Sequence, residues 1–102
     1  MSYTLVFSKE SDQDIEEVID WYNEQQDGLG NHFYTLLKDK LEKLKENPHL
    51  WSVRYDEVHC AIVNVFPYLI HYIIEESMQK VVVLGVLHTS KNPDDWKKRV
   101  KD

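Results

Sequence analysis

The apolar pattern of this chain changes at Pro48, and that change limits the folds open to it. Before Pro48, apolar side chains recur at spacings of three and four, as in amphipathic helices. After it come three runs rich in β-branched and aromatic residues, which predict buried strands: VHCAIVNVF (58–66), YLIHYII (68–74) and KVVVLGVLH (80–88). The sequence therefore predicts a helical first half and a sheet in the second half.

The first half predicts one strand and two helices. YTLVFS (3–8) alternates apolar and polar side chains, as a short strand does. Ser8 or Ser11 is suited to cap the first helix, and Ser11 with Asp14 resembles a capping box. After a break at DGLG (27–30), a second helix ends at Asn47-Pro48. Apolar side chains mark one face of each helix: Ile15, Val18, Ile19 and Tyr22 on the first, and Phe33, Leu36, Leu37, Leu41 and Leu44 on the second.

The order of elements predicts an α+β fold in a single domain, residues 1–102. Two further elements are predicted, a short strand at SVRYD (52–56) and a short C-terminal helix at PDDWKKRV (93–100). A helical hairpin then packs on one face of a twisted, mainly antiparallel sheet of four to five strands. The other face of the sheet is the expected place for a site.

Composition and charge narrow the class of protein. The net charge of −6 lies in residues 9–47, where five lysines face eleven carboxylates, and this argues against a general nucleic-acid binder. No apolar run approaches the ~18 residues that a membrane span needs, and no signal peptide is expected at the N-terminus. The lone Cys60 leaves no internal disulfide and no cysteine-based zinc cluster, which suits the cytoplasm.

Four stretches together resemble the RelE/ParE toxin superfamily, and most of all its ParE-like, plasmid-stabilisation branch. They are DIEEVIDWY (14–22), ENPHLW (46–51), FPYLIHYII (66–74) and VLHTSKNPDDW (86–96). The resemblance implies the bacterial toxin of a type II toxin–antitoxin pair, neutralised by a cognate antitoxin. RelE-type members cleave mRNA on the ribosome without a metal, whereas ParE-type members block DNA gyrase, so both targets stay open at this stage.

The resemblance also suggests a catalytic set of His88, Lys91 and Arg54. Metal-free RNA cleavage needs a proton-transferring group and cations around the phosphate. His88 would transfer the proton. Lys91 and Arg54 would stabilise the negative charge on the phosphate. Lys91 stands at a position where the family usually has arginine. The simpler alternative is structural: the His88 ring only forms a hydrogen bond at the edge of the sheet, and Lys91 is a solvated loop residue. No cofactor and no metal are expected.

One departure from the family pattern weakens the ribonuclease hypothesis. Members of the family commonly carry one or two arginines where this chain has His59 and Cys60. Here the nearby guanidinium is that of Arg54, and Asp56 and Glu57 add negative charge beside it. Without cleavage, the protein would act as a gyrase-directed toxin, as a lapsed toxin that only binds its antitoxin, or as a homo-oligomeric domain such as a homodimer.

Five further residues are predicted to bind a partner or target. Tyr72 would stack on a nucleotide base, or pack in the core instead. Trp96 would anchor the C-terminal turn to the sheet by packing against it. The basic side chains of Lys97, Lys98 and Arg99 would then lie at the rim of the sheet.

Overall fold

The computed structural model describes residues 2–91 of the chain. It has two helices, α1 (Lys9–Gln25) and α2 (Leu29–Glu46), and five strands. The strands are β1 (Thr4–Phe7), β2 (Val53–Tyr55), β3 (Val58–Ile62), β4 (Tyr68–Glu75) and β5 (Lys80–His88). Single 3-10 turns lie at Pro48–Leu50 and Glu76–Met78. The predicted C-terminal helix, with Trp96 and the basic residues 97–99, lies outside the described residues.

The five strands form one sheet in the order β1-β5-β4-β3-β2. β1 runs parallel to β5, and the other three pairings are antiparallel. The predicted α+β fold with a mainly antiparallel sheet is confirmed. The prediction of a strand over 58–66 was too long, because β3 ends at Ile62 and a loop leads through Pro67, which cannot donate to a sheet ladder, into β4.

The start of α1 differs from the predicted capping box. Ser8 is the N-cap, and its side chain accepts a hydrogen bond from the Ser11 backbone N–H at 3.1 Å. Ser11 is buried inside the helix and donates its hydroxyl to the Ser8 carbonyl at 2.8 Å. Asp14 turns to the sheet instead, where it accepts a hydrogen bond from the Val86 backbone N–H. The pairing of Ser11 with Asp14 was therefore wrong.

The two helices are in close contact at Gly30. Its backbone N–H donates to the Asn23 side chain of α1 at 2.8 Å, and a Cβ at this position would lie 2.2 Å from the Ile19 carbonyl oxygen. Only glycine fits that contact. Gly28, the N-cap of α2, has a φ of +84°, as the predicted break requires.

The main core lies between the helices and one face of the sheet. Phe33, Leu37 and Leu44 of α2 are fully buried there against Ile70 and Tyr72 of β4. Burial of such side chains removes apolar surface from water, and each Å² removed stabilises the fold by about 25 cal/mol. The predicted apolar faces of both helices are the ones that pack on the sheet.

The opposite face of the sheet carries a smaller apolar cluster. Val58, Cys60 and Leu84 are its buried members, and Tyr55 and Ile73 pack against it with Leu69 and Val82. Among residues 2–91, no helix is both long and apolar enough to cross a bilayer.

Candidate functional site

His88 is the last residue of strand β5 and is followed by the turn residues Thr89 and Ser90. Its ring meets the ring of Tyr68, its partner on β4, edge to face with centroids 5.2 Å apart. The Ser90 backbone N–H donates to His88 Nδ1 at 3.1 Å, and the Ser90 hydroxyl lies 2.8 Å from the same atom. Because Nδ1 accepts that N–H, the proton of the neutral ring lies on Nε2. The ring is thus held in one tautomer.

A groove of about 480 Å³ runs between α1 and this end of β5. His88 and Lys91 both line it, so these two predicted residues share one groove. Tyr68 also faces this groove, with Trp21 of α1, which is 53% exposed. Because α1 forms one wall, His88 lies on the helical side of the sheet and not on the face opposite the helices, where the site was expected.

Three carboxylates of α1 form the wall across from His88: Glu10, Asp14 and Glu17. Sequence reasoning assigned them to no site. Their spacing of four and three residues, continued by Trp21 four residues further on, places them on one stripe of α1. That stripe could have been found from the sequence, but the strand it would face could not.

The charge in this groove opposes the binding of a phosphate. The described residues that line it hold one permanent cation, Lys91, against the carboxylates of Glu10, Asp14 and Glu17. Like charges a few ångströms apart repel by about 1 kcal/mol or more each in a partly exposed site. The groove is better suited to positively charged or neutral groups.

Arg54 is not brought to His88 and Lys91. It lies on β2, an edge strand, which is separated from β5 by β3 and β4. The register also shifts it along the strands, since Val53 pairs with His59 and His59 pairs with Tyr72, whereas His88 pairs with Tyr68. With strands ~4.8 Å apart and ~3.3 Å per residue, the separation is on the order of 15–20 Å. The three residues therefore do not surround one phosphate.

Tyr72 is a core residue in this structure. It is fully buried, its hydroxyl donates to the Pro48 carbonyl at 2.6 Å, and its ring stacks on His59 with centroids 5.2 Å apart. Burial raises the pKa of its hydroxyl. A ring with no exposed surface cannot stack on a nucleotide base, so the structure contradicts that suggested role and agrees with the core-packing alternative.

Cys60 and His71 lie together on the face of the sheet opposite the helices. Both are buried, and the Cys60 Sγ is 3.4 Å from His71 Nδ1, which also lies 3.0 Å from the Tyr55 hydroxyl. Burial raises the pKa of the Cys60 thiol to about 11, although the charge of Arg54 acts in the opposite direction. The thiol is therefore protonated at neutral pH and a poor nucleophile. Within residues 2–91, no three His, Cys, Asp or Glu side chains are placed to hold a metal ion.

A second groove, about 470 Å³ in volume, lies between α1 and α2. Its lining is mainly apolar and includes Phe7, Ile15, Ile19, Tyr34, Leu37 and Leu41. Asp12, Glu16 and Lys38 stand among these side chains. An apolar groove edged by charge is a common seat for an amphipathic helix of a partner protein.

Comparison with known families identifies the chain. The model of the ParE toxin of the type II toxin–antitoxin system, parDE, matches residues 5–93. The chain belongs to the ParE toxin family. The predicted superfamily and the toxin class are thereby confirmed.

Solved structures agree with the ParE fold. The chain is similar to one from the chromosomal ParDE system of P. aeruginosa, with a TM-score of 0.73, 10% identity, and coverage of 85% of this chain and 96% of that one. It is also similar to an arginine-substituted mutant of E. coli RelE in the free state, with a TM-score of 0.68, 19% identity, and coverage of 98% and 99%. A chain of the intact E. coli RelBE complex has a TM-score of 0.64, 18% identity, and coverage of 88% and 100%. At these identities the likeness shows the fold alone. No curated protein sequence matches the chain.

Proposed function

We propose that this ParE toxin acts by binding a protein target of the DNA gyrase type and not by cleaving mRNA. The separation of Arg54 from His88 and Lys91 carries the proposal, because metal-free cleavage needs several cations around one phosphate. Binding to a protein surface needs no such cluster.

The acidic wall of the His88 groove supports the same conclusion. Glu10, Asp14 and Glu17 stand where a ribonuclease would need positive charge around its substrate. Removing the His88 imidazole would then leave the toxic effect intact, since no proton transfer is involved.

We also propose that a cognate antitoxin neutralises the toxin in the cytoplasm by seating a helix in the groove between α1 and α2. Phe7, Ile19 and Tyr34 would receive its apolar face, and Lys38 would pair with an acidic residue on it. The structural neighbours from the ParDE and RelBE systems come from toxin–antitoxin pairs, which supports this assignment.

Expression of the chain alone tests the proposed target. Growth arrest and mRNA integrity are followed for the wild type, for His88→Ala, and for a variant in which Lys97, Lys98 and Arg99 are all alanine. We expect the wild type and His88→Ala to arrest growth equally with intact mRNA, and the triple variant to arrest it less because three positive charges are lost from the C-terminal segment. Cleaved mRNA that becomes intact in His88→Ala would contradict the proposal. No arrest by the wild type would indicate a lapsed toxin that only binds its antitoxin.

A further inference from the structure

Val65 occupies a backbone conformation that its residue type disfavours. Its φ is +76°, in the loop of residues 63–67 between β3 and β4. Among residues 2–91, the other non-glycine residues with positive φ are Asp56, Glu57 and Gln79, all with unbranched polar side chains. For a β-branched residue such a φ is a genuine outlier and implies local strain.

The loop around Val65 is firmly anchored on both sides. Val63 and Phe66 are buried in the main core, and the Val63 backbone N–H donates to the Tyr68 carbonyl at 2.9 Å. The Thr89 backbone N–H donates to the Pro67 carbonyl at 2.9 Å, which ties the loop to the end of β5. These anchors hold Val65 in its strained conformation and direct the loop tip outward.

The Val65 side chain makes little contact with the rest of the fold. It is 82% exposed, and Ile62, three residues earlier, is 49% exposed. Asparagine or glycine would adopt the same φ with less strain. The chain therefore keeps a strained, solvent-exposed apolar side chain in a loop that is anchored on both sides, a combination that folding does not require.

The surroundings of Val65 indicate what it contacts. Residues 58–74 contain no Asp, Glu, Lys or Arg, although 29% of the whole chain is charged. A tip without a cation does not attract phosphate groups, so a nucleic acid is a poor partner. A neutral apolar tip complements an equally neutral apolar socket on a protein.

We propose that Val65 and Ile62 form an apolar plug that inserts into an apolar socket on the protein target of the toxin. This inference rests on the proposed function, because it names the element that binds that target. Neither residue lines the groove between α1 and α2. The plug and the proposed antitoxin seat are therefore separate surfaces.

Inhibition of supercoiling by purified DNA gyrase, with the purified toxin and its variants, tests the plug. Val65→Asn removes the apolar side chain but tolerates the left-handed backbone, so its midpoint of thermal unfolding should equal or exceed that of the wild type. We expect Val65→Asn to need roughly tenfold more protein for half-inhibition, the usual size of a lost anchor at an interface. Val65→Ile keeps the plug, and Met78→Asn changes an exposed apolar residue elsewhere, so both should inhibit like the wild type.

The outcomes separate this inference from the proposed function. Equal inhibition by Val65→Asn and the wild type would overturn the plug and leave the gyrase-type target standing. A lower unfolding midpoint for Val65→Asn would overturn the strain argument. An equal loss in Met78→Asn would show that the effect is not specific to the loop and would also overturn the plug. Failure of the wild type to inhibit gyrase would overturn the proposed target and the plug with it.

Discussion

The Asp14 carboxylate accepts a hydrogen bond from the Val86 backbone N–H at 3.1 Å, and so joins the first helix to the last strand. Strand β1 pairs with β5 only as far as Val83, so within residues 2–91 no strand lies beside the rest of β5 on that side. Ser8 satisfies the Leu84 carbonyl, and Asp14 satisfies the next outward N–H. Side chains thereby supply the hydrogen bonds to β5 that a neighbouring strand would otherwise form beside the His88 groove.

Replacing Asp14 with alanine should lower the free energy of unfolding by about 1–3 kcal/mol. Val86 is buried, and its backbone N–H would lose this acceptor in a part-buried site beside the His88 groove. Asp14→Asn is the matched control, because its amide oxygen still accepts a hydrogen bond, and it should cost less. Chemical denaturation of the three proteins measures the difference. Equal midpoints for Asp14→Ala and the wild type would show that the contact contributes nothing to stability.

Leu37→Ala should lower the free energy of unfolding by ~2–5 kcal/mol. Leu37 is fully buried in the main core, and truncation leaves a cavity that the neighbouring side chains fill only in part. Leu50→Ala provides the control, since Leu50 is 67% exposed, and it should change stability by less than about 0.5 kcal/mol. A denaturation midpoint for Leu37→Ala that matches the wild type would mean that α2 packs on the sheet by another face.

Folding stability should fall between pH 9 and pH 11 through Cys60. The pKa of its thiol rises from 9.0 to about 11 on burial, so in this range the folded state keeps a proton that the unfolded state has released. The contribution is fully present below pH 9 and is lost as the pH rises towards 11. Two pH units correspond to about 2–3 kcal/mol.

Cys60→Ala isolates this effect, because the tyrosines that titrate in the same range are common to both proteins. Stability measured by denaturation at several pH values should fall less steeply in the variant than in the wild type. Parallel curves would contradict the buried, protonated thiol. At pH 8, the native wild type should also resist alkylation until it is unfolded.

Local pattern was enough to predict most of the fold. The spacing of Phe33, Leu37 and Leu44 gave the buried face of α2, and Pro48 gave its end, because both signals act within one or two helical turns. The limits of β5 were predicted to the residue, since its apolar run is bounded by turn residues on both sides.

The site was harder to predict because it depends on contacts between distant segments. The sequence shows that Asp14 is acidic but not that it reaches Val86, 72 residues later. It shows that Arg54 and His88 carry suitable groups but not that two strands lie between them. The burial of Tyr72 was left open for the same reason, because its hydroxyl donates to the carbonyl of Pro48, which lies 24 residues earlier in the chain.

The most direct test of the proposed target is the supercoiling of relaxed plasmid by purified DNA gyrase in the presence of the purified toxin. Supercoiling should be inhibited in proportion to the toxin added, and His88→Ala should inhibit as well as the wild type, because binding needs no proton transfer. Full supercoiling at a saturating concentration of a toxin that arrests growth in cells would contradict a gyrase-type target.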